Sequence, residues 1–184
     1  MERHQQSEYL VLRQTIAQRG ALRHVLVLCG IAIWAALLIA VLALLPYPVA
    51  ASIPLLVLLV TFEVIRPLHF GAERIGRYLQ VFYEEDGAPR RSLRDTPSWE
   101  RVAMSFGTVP GVGGHALFVP VFVLATAINY LAVLLPRPVA IELSVMAIPH
   151  LAFIVWLVAA DRAMRTQRAT ELARLREVRD KTNP

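Results

Sequence analysis

The sequence predicts an all-α integral membrane protein: four transmembrane helices forming two parallel-repeated helical hairpins, with amphipathic cytoplasmic helices. Three observations predict it. The chain is 56% hydrophobic with a mean hydropathy of +0.50, above the apolar content usual for soluble domains. Charge is absent over residues 25–45, 47–60, 116–135 and 143–160, so spans read at 24–45, 49–68, 116–135 and 139–160 come near the ~20 residues that cross a ~30 Å hydrocarbon core. Finally, Leu44-Leu45-Pro46-Tyr47-Pro48-Val49-Ala50 returns ninety positions later as Leu134-Leu135-Pro136-Arg137-Pro138-Val139-Ala140, with six of seven residues identical. Each copy lies between two apolar stretches and reads as a hairpin tip.

Charge sets the expected threading. Of 19 basic residues, four precede the first span, seven lie between spans two and three, and seven follow span four; Arg137 alone falls in a tip. By the positive-inside rule the N-terminus, the central segment and the C-terminus are cytoplasmic, and both Pro-x-Pro tips face out. The same topology explains the basic balance without a nucleic-acid partner, since the basic segments also hold twelve of the fourteen acids. The predominance of Arg over Lys suits a bacterial source, where the protein would sit in the cytoplasmic (inner) membrane. The first apolar run is too long for a cleavable signal and should be retained. The single cysteine, Cys29, excludes an intramolecular disulfide and is expected to be a small buried residue.

Five segments follow. Residues 1–23 form a cytoplasmic N-terminal segment, with Ser7 a candidate N-cap, Leu12 and Ile16 on one face, and a break expected near Gly20. Residues 24–68 form the first hairpin. In span one, Ala32, Ala36 and Ala40 make a small-xxx-small face suited to close helix packing, within the monomer or against another chain.

Residues 69–115 form a cytoplasmic helix and loop. Span two continues past Pro67, with a bend there, to about Glu85. Its stripe Leu68, Ala72, Ile75, Leu79, Phe82 follows heptad spacing, while Glu73 and Arg77 pair at i,i+4 on another face. This stripe is the expected docking surface for another subunit. A turn at 86–89, a short interfacial helix around Trp99 and a flexible loop at 107–114 complete the segment. Residues 116–160 form the second hairpin. Residues 161–184 form a C-terminal helix with a thin apolar seam at Leu172, Leu175 and Val178.

Candidate functional residues follow from cost, because ionisable or polar groups in lipid need a reason. His150 and Thr126 fall at about one depth, with Asn129 one turn nearer the outside and level with Ser144, and together they could form a patch between spans three and four. Interhelical hydrogen bonding is the favoured role, a ligand or proton site the alternative. Glu63, near the inner end of span two, is expected to pair with Arg66; Glu142 is expected to meet Arg137 or water. His24, His69 and His115 fall at the cytoplasmic edge, where imidazoles could ligate haem, pigment or metal. Amphipathic placement is the favoured explanation, and no cofactor or metal is expected. No catalytic motif stands out. The expected function is an accessory or scaffolding subunit of a membrane complex, its partners the bilayer and other protein subunits. The alternatives are a small oligomeric channel or transporter, and a cofactor-binding or enzymatic membrane subunit.

Overall fold

The computed structural model describes residues 2–45, 47–84 and 117–182. These are almost wholly helical, with no strand among the described residues. Helix α1 is Glu2–Leu44, a 3-10 turn covers Pro48–Ala51, α2 is Ser52–Leu79 continued by a π turn at Gln80–Glu84, α3 is Val119–Val133, and α4 is Ala140–Thr182. Among the described residues, three helical stretches are long and apolar enough to cross a membrane: Gln6–Leu44, Pro48–Tyr83 and Ala140–Lys181.

Several boundaries differ from those expected. Helix α1 is continuous through Gly20 and begins before Ser7, so neither a break nor a Ser7 cap forms. Glycine costs a helix only about 1 kcal/mol, which a 43-residue helix absorbs. The third apolar segment is a helix of only 15 residues, ~22 Å long at 1.5 Å per residue. It starts at Val119 because Phe118 takes a left-handed conformation, φ 53°. The turn at 86–89, the Trp99 helix, the 107–114 loop and His115 lie outside the described residues.

The chain divides into two compact units. The apolar unit comprises Leu22–Pro67 and Leu117–Arg162. Its core gathers Leu58, Phe62, Ile65, Phe122 and Leu157, all fully buried. Phe62 meets Phe122 and Phe153 edge-on, with centroids 5.6 and 6.2 Å apart, an arrangement the ring quadrupoles favour. Its outside is apolar too: Leu28 is 71% exposed and Ile148 67%. A water-soluble unit would place polar side chains at such positions; lipid accepts this pattern.

The close approach of α1 and α2 uses Gly30, where an added Cβ would collide with the Thr61 side chain. The expected alanine face does not pack inside: Ala32 and Ala36 are exposed and Ala40 half-buried. Cys29 is likewise exposed, not buried.

The two tips share sequence but not backbone. Tyr47 is extended (φ −117°, ψ 132°) and leads directly into the 3-10 turn at Pro48. Arg137 is left-handed, φ 54°, and α4 begins only at Ala140. The position matching Glu142 supplies the reason. Glu142 does not reach Arg137; its Oε2 accepts the Val139 N–H at 3.0 Å, the reach-back half of a capping box that starts α4. The first tip has Ser52 there, whose hydroxyl turns to the Met146 sulfur, 3.8 Å away.

The charged unit comprises Met1–Ala21, Leu68–Ala116 and Ala163–Pro184. Within it Arg19 of α1 lies over the bare Cα of Gly71 on α2. Tyr78 donates to Glu8 at 3.4 Å, and Tyr9 packs on Tyr83 with centroids 5.6 Å apart. The heptad stripe is not left uncovered. Leu79 is fully buried, and Leu68, Ala72, Ile75 and Phe82 are half-buried.

Candidate functional sites: two buried polar clusters

In the apolar unit the polar groups centre on Asn129, which is fully buried on α3. Its Oδ1 accepts the indole N–H of Trp34 on α1 at 3.1 Å. Its Nδ2 donates to the Ala51 carbonyl at 2.9 Å and lies 2.9 Å from His150 Nε2 on α4. His150 Nδ1 lies 2.7 Å from the Met146 carbonyl. A carbonyl only accepts, so Nδ1 carries the proton and Nε2 accepts from Asn129. His150 is therefore neutral, in one tautomer, with both nitrogens used. Trp34, Ala51, Asn129 and His150 join α1, the 3-10 turn, α3 and α4 through directional bonds.

Of the four residues expected in this patch, the structure brings together Asn129 and His150. Thr126 is buried but bonds its own helix at the Phe122 carbonyl, 2.7 Å away. Ser144 is exposed and bonds the Ala140 carbonyl. Six residues of helix turn Ser144 well away from His150, although the two differ by under two turns in depth. Trp34 was not singled out from the sequence, because nothing in the chain fixes the rotation of α1 toward Asn129.

Elsewhere in the same unit, Glu63 and Arg66 pair at 2.8 Å. The Trp156 indole donates to Glu63 at 2.6 Å, and the Arg66 guanidinium lies 5.2 Å from the Trp156 ring centroid. His24 is exposed and meets Phe118 edge-on, 5.3 Å between centroids.

The charged unit holds a cluster that sequence spacing only half indicated. Glu73 and Arg77 were expected to pair at i,i+4 on a face other than the apolar stripe. Arg77 does bond Glu73, at 2.9 Å, but its side chain is 3% exposed and its Nη2 also meets Glu171 Oε2 of α4 at 2.6 Å. Glu171 Oε1 further accepts from Arg74 at 3.1 Å and Gln167 at 2.8 Å. Burial alone would raise the Glu171 pKa; the Arg74 and Arg77 guanidiniums outweigh it and hold the carboxyl below the usual range. His69 is also buried, with Nε2 3.7 Å from Glu73 Oε1. Arg77 Nε and Gln80 Oε1 are buried without a hydrogen-bond partner among the described residues.

Neither cluster presents reacting groups in an open cleft. His150 could ligate a metal or haem only by giving up the Asn129 bond. Among the described residues no three His, Cys, Asp or Glu side chains converge as a metal site. Comparison with protein families, curated proteins and solved structures gives no match for this chain.

Proposed function

We propose that the protein is a four-span scaffolding or accessory subunit of a membrane complex. The fourth span in this reading is α3, lengthened by the apolar Leu117, Phe118, Leu134 and Leu135 on either side. The charge distribution supports cytoplasmic termini, a cytoplasmic central segment and outward tips. The two polar clusters support a structural role, since their groups are spent on each other.

One observation carries the partner. In the charged unit, Leu10 and Val11 of α1 are each 60% exposed. Lipid does not cover side chains in a cytoplasmic segment, and covering each is worth about 1.5–3 kcal/mol. The heptad stripe is a weaker argument for a partner, because the chain itself takes up Leu79. The test is native mass measurement of the gently solubilised protein, wild type against Leu10→Ser/Val11→Ser. Both positions face outward, so folding should survive. The reading expects a stoichiometric complex that the double variant releases. A lone wild-type monomer overturns it.

A further inference from the structure

We propose that Glu63, Arg66 and Trp156 form a headgroup site for a phospholipid carrying both a phosphate and a primary ammonium, that is, phosphatidylethanolamine. Depth comes first. Arg66 lies 14 residues beyond the start of α2 at Ser52, and Trp156 16 residues beyond the start of α4 at Ala140. At 1.5 Å per residue both stand ~21–24 Å along their helices, approaching the far side of a ~30 Å core. Arg66 is the first basic residue after Arg23, and Asp161 and Arg162 follow Trp156 closely. The three side chains therefore sit at the headgroup level of one leaflet, where Trp is favoured.

The geometry is built rather than incidental. The indole N–H is committed to Glu63 Oε1 at 2.6 Å, Arg66 Nη2 to Glu63 Oε2 at 2.8 Å, and the guanidinium is laid over the indole ring. Stacking and ion pairing hold the guanidinium fork in place, so less freedom is lost when it takes a further acceptor. Capacity remains on both sides. Each Glu63 oxygen has used one of two lone pairs, and Arg66 has N–H groups beyond the one given to Glu63. Both side chains are about one-third exposed, 35% and 33%. What faces the bilayer is thus a fixed positive group beside a fixed negative group, each with unused valence.

Charge complementarity chooses the lipid. A phosphodiester suits the guanidinium, which donates two parallel bonds to such oxygens. An ammonium with N–H donors suits the carboxylate. Phosphatidylethanolamine supplies both. Phosphatidylcholine has the phosphate but no N–H, and phosphatidylglycerol sets only an anion against a pair that includes Glu63.

The test is lipid binding to the full-length protein in mild detergent, followed by native mass spectrometry. The probes are phosphatidylethanolamine, its N-methylated and N,N-dimethylated forms, phosphatidylcholine, phosphatidylglycerol and free phosphoethanolamine. The site predicts affinity falling stepwise with methylation, about threefold between the first and last members, the span of an exposed ion pair. Glu63→Gln should erase that series while keeping phosphate-dependent binding, and Arg66→Gln should weaken every phospholipid. Equal wild-type affinity across the methylation series overturns the proposal, and this arm needs no variant to fold. So does a series that persists unchanged in Glu63→Gln. Free phosphoethanolamine competing as well as the lipid would assign the site to a soluble ligand and overturn the lipid reading.

Discussion

Asn129 and Arg77 are both buried side chains that tie one helix to another, yet they do it with different chemistry. Around Asn129 every group is neutral: an indole, an amide, an imidazole and two carbonyls. Around Arg77 the groups are charged, two guanidiniums against two carboxylates. A buried ion costs several kcal/mol even after relaxation, and more where no water is near. The apolar unit avoids that cost with neutral donors and acceptors that match one to one. The charged unit tolerates an ion pair whose edge reaches solvent through Arg74, 68% exposed. Completeness differs as well. Asn129 engages both its oxygen and its amide nitrogen, while Arg77 Nε stays without a partner among the described residues.

The comparison can be broken from either side. The largest effect is expected for Glu171→Ala, which leaves buried Arg77 with Glu73 as its counter-charge among the described residues. Removing one member of a buried pair costs about 3 kcal/mol, and hydrogen exchange should quicken first in α4 beyond Ala163. Asn129→Leu comes next. It strands the Trp34 N–H, the Ala51 carbonyl and His150 Nε2, and at ~0.6 kcal/mol per interhelical bond the loss is about 2 kcal/mol, read by thermal unfolding in detergent. His150→Gln should cost under about 1 kcal/mol, because a glutamine carbonyl can still accept from Asn129.

The remaining prediction sharpens the contrast through pH. Glu171 has its folded pKa depressed. Its stabilisation is therefore full above its unfolded value, ~4.3, and is lost as pH falls through the lower folded value. Acid titration followed by hydrogen exchange should loosen the charged unit over that window, and Glu171→Gln should flatten that limb. If Glu171→Gln leaves the acid response intact, another carboxylate controls it.

Much of this was legible in the sequence, for identifiable reasons. Helix rise is fixed, so distance to the tip put Asn129 within about one turn of His150, although it paired His150 in depth with Thr126 instead. Depth leaves rotation about the helix axis undetermined, and that rotation turns Ser144 away from the others. The i,i+4 rule revealed the Glu73–Arg77 bond, but not Glu171, 94 positions beyond Arg77, which meets the buried Arg77 end of that pair. Close approach of α1 and α2 within the chain is made at Gly30, while Ala32 and Ala36 are exposed and Ala40 is half-buried. The repeated heptapeptide failed to predict a repeated turn, because the residue that sets the second turn, Glu142, lies just outside the match.

The order of residues in the Asn129 network also bears on biosynthesis. Trp34 and Ala51 have left the ribosome before Asn129 is made, but His150 follows it by 21 residues. A chain interrupted in that interval holds an asparagine with two of its three side-chain bonds, and one amide hydrogen pointing at nothing. Helix α4 supplies the missing acceptor. Its arrival closes the set of Asn129 side-chain bonds, and a chain ending before His150 lacks one of the three. Pulse-chase lifetimes of chains ending before and after His150 would measure what the missing partner costs.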